Sequence, residues 1–157
     1  MSKNFEEKRK KIKSPMRIAR EEVFKIVFGV EATEATSDEL KNAFDIYLHN
    51  NKEFIDTLSK NQFHFINSSI NGIIENYDYI KNIIKKNIQN WTYERIGIVE
   101  RALLIVATYE VLIKNNPIEV IANETVELAK EYGNEKSYEF VNGILANIEK
   151  LKEKGTI

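Results

Sequence analysis

The stretch Lys8–Val30, KRKKIKSPMRIAREEVFKIVFGV, decides how this chain is read. A basic arm runs into a helix that carries two stripes. At ~100° per residue, Met16, Ala19, Val23, Ile26, Val27 and Val30 share one side, the spacing of a buried face. Arg17, Arg20, Phe24 and Phe28 share a second stripe, roughly a third of a turn away. Ser14 followed by Pro15 marks the helix start: the hydroxyl can accept from a free backbone N–H, and proline suits the first helical position. The first stripe requires a partner core. The second puts cations and rings where solvent, or a nucleic acid, can reach them.

Working outward from that helix, the charge is divided unevenly. Residues 1–20 hold eight lysines and arginines against Glu6 and Glu7, a net of roughly +6, which leaves roughly −7 on the rest of a chain of net charge −1. Residues 1–13 have almost no apolar periodicity and are expected to form a flexible basic arm on an acidic body, a layout suited to polyanions. The 157 residues fit one domain, and 43% hydrophobic with 30% charged residues is a globular composition. No cysteine is present, which excludes disulfides, thiolate metal sites and a cysteine nucleophile. The basic start leads into no apolar signal region, and the run Ala102–Ala107 is far short of the ~20 residues of a membrane span. A cytoplasmic protein with no membrane partner is expected.

Downstream, helical spacing recurs at Leu40, Phe44, Tyr47 and Leu48 with Ser37 as cap, in a short patch at Phe54, Ile55 and Leu58, from Phe63 to Tyr77, and from Tyr79 to Ile88. Residues 93–114 are apolar over most of a helical circumference and should pack against several neighbours. Asn116, Pro117 and Glu119 read as N-cap, first position and capping-box acid of the next helix, which Gly133 would end in a left-handed conformation. Asn134 or Ser137 caps a last helix bearing Phe140, Val141, Ile144, Leu145, Ile148 and Leu151, in which Gly143 reads as a close-packing position. No strand-like alternation is sustained. The expectation is an all-α single compact domain of about seven helices.

Catalytic chemistry finds no support. His49 and His64 lack partners at a ligand spacing, no glycine-rich loop resembles a phosphate cradle, and carboxylate pairs such as Glu21–Glu22 read as solvated surface. No catalytic residue, metal site or cofactor is assigned. Nucleic-acid binding does better. Arm cations including Lys13 would neutralise phosphates, Arg17 and Arg20 would act from a fixed helix, and an exposed Phe28 would stack an unpaired base, favouring single-stranded RNA. Core packing is an equal reading for Phe28 and the favoured one for Phe24. The Gly133–Ser137 turn, with Lys136 and Phe140 one turn on, repeats the pairing of cation and ring.

These residues carry a close resemblance to the NusB family of bacterial transcription antitermination factors. The matching stretches are R-x-A-R-E at Arg17–Glu21, VERALLIVATYEVL at Val99–Leu112 and PIEVIANETVELAKEYGNEKSYEFVNGIL at Pro117–Leu145. The resemblance implies two helical subdomains, about 14–88 and 91–151, and a non-enzymatic role on ribosomal RNA operons. It implies binding of boxA RNA together with the ribosomal protein NusE, in a complex with RNA polymerase and other Nus factors. Carried onto this chain, the RNA-facing residues are Arg17, Arg20, Phe28, Tyr132, Lys136 and Phe140, and Glu100 is the NusE contact. Homodimerisation stays open. The chain departs from the family pattern at Met16-Arg17-Ile18, where consecutive arginines are common, at Phe28, where tyrosine is common, and at Lys136, where some relatives carry an acid. The alternatives are a helical protein-interaction module and a NusB-like amino-terminal fragment of an RNA cytosine methyltransferase.

Overall fold

The computed structural model describes residues 13–33, 35–88 and 92–157 of the chain. The basic segment before Lys13, and Trp91, lie outside the described residues. Within them, eight α-helices and no strand are found. They are α1 (Pro15–Glu31), α2 (Ser37–Asn50), α3 (Lys52–Asp56), α4 (Lys60–Glu75), α5 (Tyr77–Asn87), α6 (Ile98–Thr108), α7 (Ile118–Tyr132) and α8 (Glu135–Glu153). A 3₁₀ turn at Tyr93–Arg95 precedes α6, and a π-helical turn at Tyr109–Ile113 prolongs it. The helix beyond the expected seven is α3, a five-residue turn visible in the sequence only as the Phe54–Leu58 patch.

Two helices lie at the centre. The buried face of α1 packs between α4 on one side and α6 on the other. Ala19, Val23, Ile26, Val27 and Val30 are buried as their spacing requires, but Met16, in the first turn of α1, is exposed. Around α6, contacts come from α1, α5, α7 and α8, so Leu103, Leu104, Ile105 and Ala107 are buried on every side. The segment is a helix from Ile98 rather than from residue 93, since Gly97 takes an extended conformation (ψ 152°).

Several caps differ from the sequence reading. Ser14 and Asn134 cap as expected, Asn134 in a reciprocal box with Ser137. Thr36, not Ser37, caps α2, and an unread capping box joins Ser59 to Gln62 at α4. Asn116 does not cap α7, because its amide is turned towards Glu110 (3.5 Å). Gly133 is not left-handed (φ −119°); a Cβ there would lie 2.7 Å from Ser137 Oγ, so crowding is what selects glycine. The left-handed non-glycine residue among those described is Asn115 (φ 58°), two residues past the π turn. Gly143 has open space around it, and the close-packed glycine is Gly72, where a Cβ would come within 2.6–2.7 Å of the Tyr109 ring.

One polar knot is built into this core. Glu31, in the last turn of α1, is buried where the helix dipole disfavours an acid. It is compensated by hydrogen bonds from Tyr77 Oη (2.5 Å) and Tyr93 Oη (3.0 Å) and by Arg101 (3.6 Å). Arg101 Nη2 also donates to the Glu31 main-chain carbonyl (2.5 Å), satisfying one of the acceptors that a helix end leaves open. Burial, reinforced by Glu31, pushes both phenols above their ordinary range.

Two measurements check these assignments. Gly72→Ala should lower stability by about 1–3 kcal/mol in urea unfolding because the tyrosine ring blocks the new methyl, whereas Gly143→Ala should raise it by about 0.5–1 kcal/mol. The raised phenols favour the folded state fully below pH ~10, and that contribution is lost as the pH rises towards their folded values. Alkaline unfolding should therefore steepen above pH ~10, and Tyr77→Phe should flatten that limb.

Candidate nucleic-acid interface

The second stripe begins at the start of α1. Ser14 accepts from the Arg17 backbone N–H (3.2 Å), and Gln62 Nε2 from α4 donates to the Pro15 carbonyl (2.9 Å), which holds this helix end in place. The side chains that follow meet carboxylates rather than solvent. Lys13 Nζ pairs with Glu21 and with Glu131 of α7 (2.8 Å). Arg17 makes a two-pronged contact with Glu124 (3.1 and 3.3 Å). Arg20 makes a shorter one with Glu110 of the π turn (2.8 Å on both prongs) and lies 3.7 Å from Glu124.

Burial separates the two arginines. The Arg20 side chain is 12% exposed and its Glu110 partner 2%, whereas Arg17 keeps 34% of its surface. Desolvation opposes the charge on Arg20, but the Glu110 hydrogen bonds and charge outweigh it and raise its pKa. The guanidinium also sits 5.2 Å from the Phe65 ring centre. The structure thus places Arg20 in the joint between α1 and α6, and Arg17 at its edge.

The aromatic part forms a row. Phe28 is 38% exposed and leans on Phe24 (5.9 Å between ring centres), which in turn meets Tyr132 at 4.9 Å. Phe24 is fully buried, so it supports Phe28 instead of presenting a face of its own. Tyr132 Oη donates to Glu21 (2.5 Å), and burial together with that carboxylate pushes its pKa up. Burial alone would raise the Glu21 pKa, but hydrogen bonds from Lys13 and Tyr132 hold it below the usual carboxylate range. Lys13 mirrors this: burial would lower its pKa, and Glu131 and Glu21 raise it on balance.

At the other candidate positions, Lys136 is exposed, and Phe140, one turn on along α8, is half-buried against the core. Glu100 accepts from Ser137 Oγ (2.6 Å), tying the first turn of α6 to the first turn of α8. Glu21 and Glu22 are buried and hydrogen-bonded, Glu22 to Tyr47 Oη (2.8 Å), which corrects their reading as solvated surface. His49 and His64 are exposed on α2 and α4.

Two features were missed in the sequence. One is the row Glu124, Glu127 and Glu131 on one side of α7; its three- and four-residue spacing was legible, but nothing local told that it would face α1. The other is Lys25, half exposed and three residues before Phe28, bridged to Glu22 (3.2 Å). Replacing Glu110 by Ala should cost about 3 kcal/mol, since it strands a buried guanidinium, while Glu124→Ala, whose partner Arg17 keeps access to solvent, should cost less, about 1 kcal/mol. Paired thermal melts of the two variants would check that order.

Comparison with known proteins bears on what this surface is for. A sequence model described as the NusB family matches residues 17–150. The transcription antitermination protein NusB of Fusobacterium nucleatum subsp. nucleatum is 74% identical over 98% of this chain and 100% of its own length. That of Fervidobacterium nodosum is 38% identical over 87% of this chain and 92% of its own. Among solved structures, Thermotoga maritima NusB superposes with a TM-score of 0.71 at 36% identity, covering 93% of this chain and all of its own. A crystal structure of antitermination factors NusB and NusE in complex with dsRNA superposes at 0.72 over 87% of this chain and 96% of its own, and at 21% identity it speaks for the fold.

Proposed function

The chain belongs to the NusB family of transcription antitermination proteins, non-enzymatic factors, and on that footing we propose that it binds boxA RNA of ribosomal RNA transcripts together with NusE and couples them to RNA polymerase with the other Nus factors. The observation that carries the reading is one helix face: Phe28, exposed and braced by Phe24, which itself rests on Tyr132, on the same helix as Arg17, a helix that follows the basic segment in the sequence. A base stacked on Phe28 would meet a ring already fixed in place, so little ordering cost falls on binding.

The cations divide by role. Arg17 uses two of a guanidinium's five N–H donors on Glu124, so it can keep that partner and still contact a phosphate. Lys13 holds two carboxylates and would exchange one of them for RNA. Arg20 we assign as a positioning residue that sets α1 and, through it, Phe28. Lys136 and Phe140 extend the surface along α8. With Glu21, Glu124 and Glu131 beside these cations, the described part of the stripe is nearly neutral, so long-range attraction of RNA falls to the basic residues before Lys13. NusE docks, in this reading, on the subdomain 91–151 near Glu100, while the RNA surface is shared between α1 of the subdomain 14–88 and Tyr132, Lys136 and Phe140 of the subdomain 91–151. No helix among the described residues is long and apolar enough to cross a membrane, and we place the protein in the cytoplasm, where transcription takes place.

A second reading, a helical module that binds only protein, is favoured by the acids that already occupy Lys13, Arg17 and Arg20. Fluorescence titration of a short boxA-like RNA separates the two. Phe28→Ala should weaken binding by about 1–3 kcal/mol with melting unchanged, Arg17→Ala should weaken it and flatten its salt dependence, and Arg20→Ala should lower the melting temperature. Unchanged affinity in the first two variants, with no preference for boxA over scrambled RNA, would leave the protein-binding module. Addition of NusE should tighten RNA binding, and RNA should tighten NusE binding by the same factor.

A further inference from the structure

At the far end of α1 from Arg17, a second cluster of cations surrounds a cavity of about 320 Å³. It is lined by the turn after α1 (Ala32, Thr33), by Ala35, by Lys81 and Lys85 of α5, by Tyr93 and Glu94, and by Arg101 of α6. This volume is at the lower end of small-molecule sites. The proposed RNA stripe does not include it.

The cations are held in place. Lys81 Nζ donates to the Ala35 carbonyl (2.7 Å) and lies 4.0 Å from the Tyr77 ring centre. Lys85 Nζ lies 5.3 Å from the Tyr93 ring centre, and the Arg101 guanidinium 5.5 Å from the same ring. Aromatic contacts of this kind orient a cation without neutralising it. The buried acid at the cavity floor, Glu31, is already engaged: one oxygen accepts from Tyr77, the other from Tyr93, and its charge faces Arg101. Arg101 Nε is buried with no hydrogen-bond acceptor among the described residues. Lys81 and Lys85 make no ion pair among the described residues, and the remaining lining acid, Glu94, is exposed. Two lysines and an arginine thus face a space lined by two acids, Glu31, which Arg101 and two phenols already engage, and the exposed Glu94.

We propose that this cavity is a phosphate-binding site, in which Lys81 and Lys85 hold the oxyanion of a phosphate ester and Arg101 closes its inner side. A lysine presents a mobile set of three donors, one of which Ala35 takes from Lys81, so two remain for the ligand there and three on Lys85. The cavity has room for the sugar as well as the phosphate, and the Tyr93 ring supplies an apolar wall. The phosphate can come from a free mononucleotide or from an RNA strand. The proposal rests on the cavity alone and does not depend on the reading of the Phe28 surface.

The test uses the full chain and two-dimensional amide NMR. Titration with inorganic phosphate, and separately with uridine monophosphate, should shift saturably the backbone amides of residues 32, 33, 35, 81–85 and 93–101, while sodium chloride at matched ionic strength should not. Lys81→Gln combined with Lys85→Gln should weaken phosphate binding at least about tenfold, in line with the loss of two charge-assisted hydrogen bonds, and Arg17→Ala and Phe28→Ala should leave it unchanged. Read at those cavity amides in the Phe28→Ala variant, stronger binding of the mononucleotide than of an RNA oligomer assigns the site to a free nucleotide, and the reverse assigns it to an RNA backbone. No saturable shift with either probe, or shifts that persist in the folded double variant, would overturn the proposal.

Discussion

The antiparallel register of α1 against α6 is set by two ion pairs of opposite polarity, and the remaining structure depends on it. Near its start, α1 offers Arg20 to Glu110 at the end of the α6 segment; at its end, it offers Glu31 to Arg101 at the start of α6. A parallel arrangement would bring Arg20 to Arg101 and Glu31 to Glu110, like charges in a poorly solvated seam. A slip along the axis would strand both pairs at once. The π turn belongs to this constraint, because Glu110 lies in it and Asn116 closes back on Glu110 through its backbone N–H and its amide. Apolar burial supplies the driving force for packing these helices, but it discriminates weakly between neighbouring registers of two largely aliphatic faces. The charges supply that preference.

This constraint shapes the surface on which function is proposed. A cation that fixes a helix within the core is not available for a ligand, so the basic stripe of α1 divides along its length. Arg20 is committed to the joint, Arg17 is shared at the edge, and Phe28 is presented by a helix that cannot rotate. The acidic side of α7 lies against the same stripe and neutralises it, which keeps the folded body from attracting polyanions indiscriminately. In the proposed function, attraction and reading are then separate tasks: the charge-dense segment before Lys13 for the first, the fixed ring and partly exposed Arg17 guanidinium for the second. At the opposite end of α1 the balance differs. There Glu31 is compensated by two phenols as well as a guanidinium, and two lysines of α5 are left facing a cavity.

How much of this could be read along the chain follows from the range of each interaction. The helices were legible because their apolar positions recur every three or four residues, and Ser14 and Asn134 were legible as caps because a cap acts within three residues. The readings that failed did so where a distant group competed. Asn116 had the sequence of a cap but turned to Glu110, and Gly133 had the sequence of a left-handed terminus but answers to the Ser137 side chain. Gly143 had the sequence of a close-packing position but stands open, while Gly72 is crowded, because only the position of Tyr109, on another element, decides which glycine meets a neighbour. Glu21 and Glu22 looked like surface until Tyr132 and Tyr47 came to them from elsewhere in the chain.

The sequence by itself determined an all-helical chain, the two-stripe character of its first helix, the excess of cations at its start and, through three long motifs, its family. Each of these is a matter of residue type and local spacing, and local spacing survives any arrangement of the helices. The tertiary structure alone decided which cations remain open to a ligand. Arg17 and Arg20 are three residues apart on one stripe and alike in every local respect, yet Glu124 and Glu110 approach them from more than a hundred and from ninety residues away. Whether a charge is free or spoken for depends on what the fold brings within about 4 Å of it, because an opposite charge beyond that distance is weakened by solvent. Spacing along the chain carries no record of that distance.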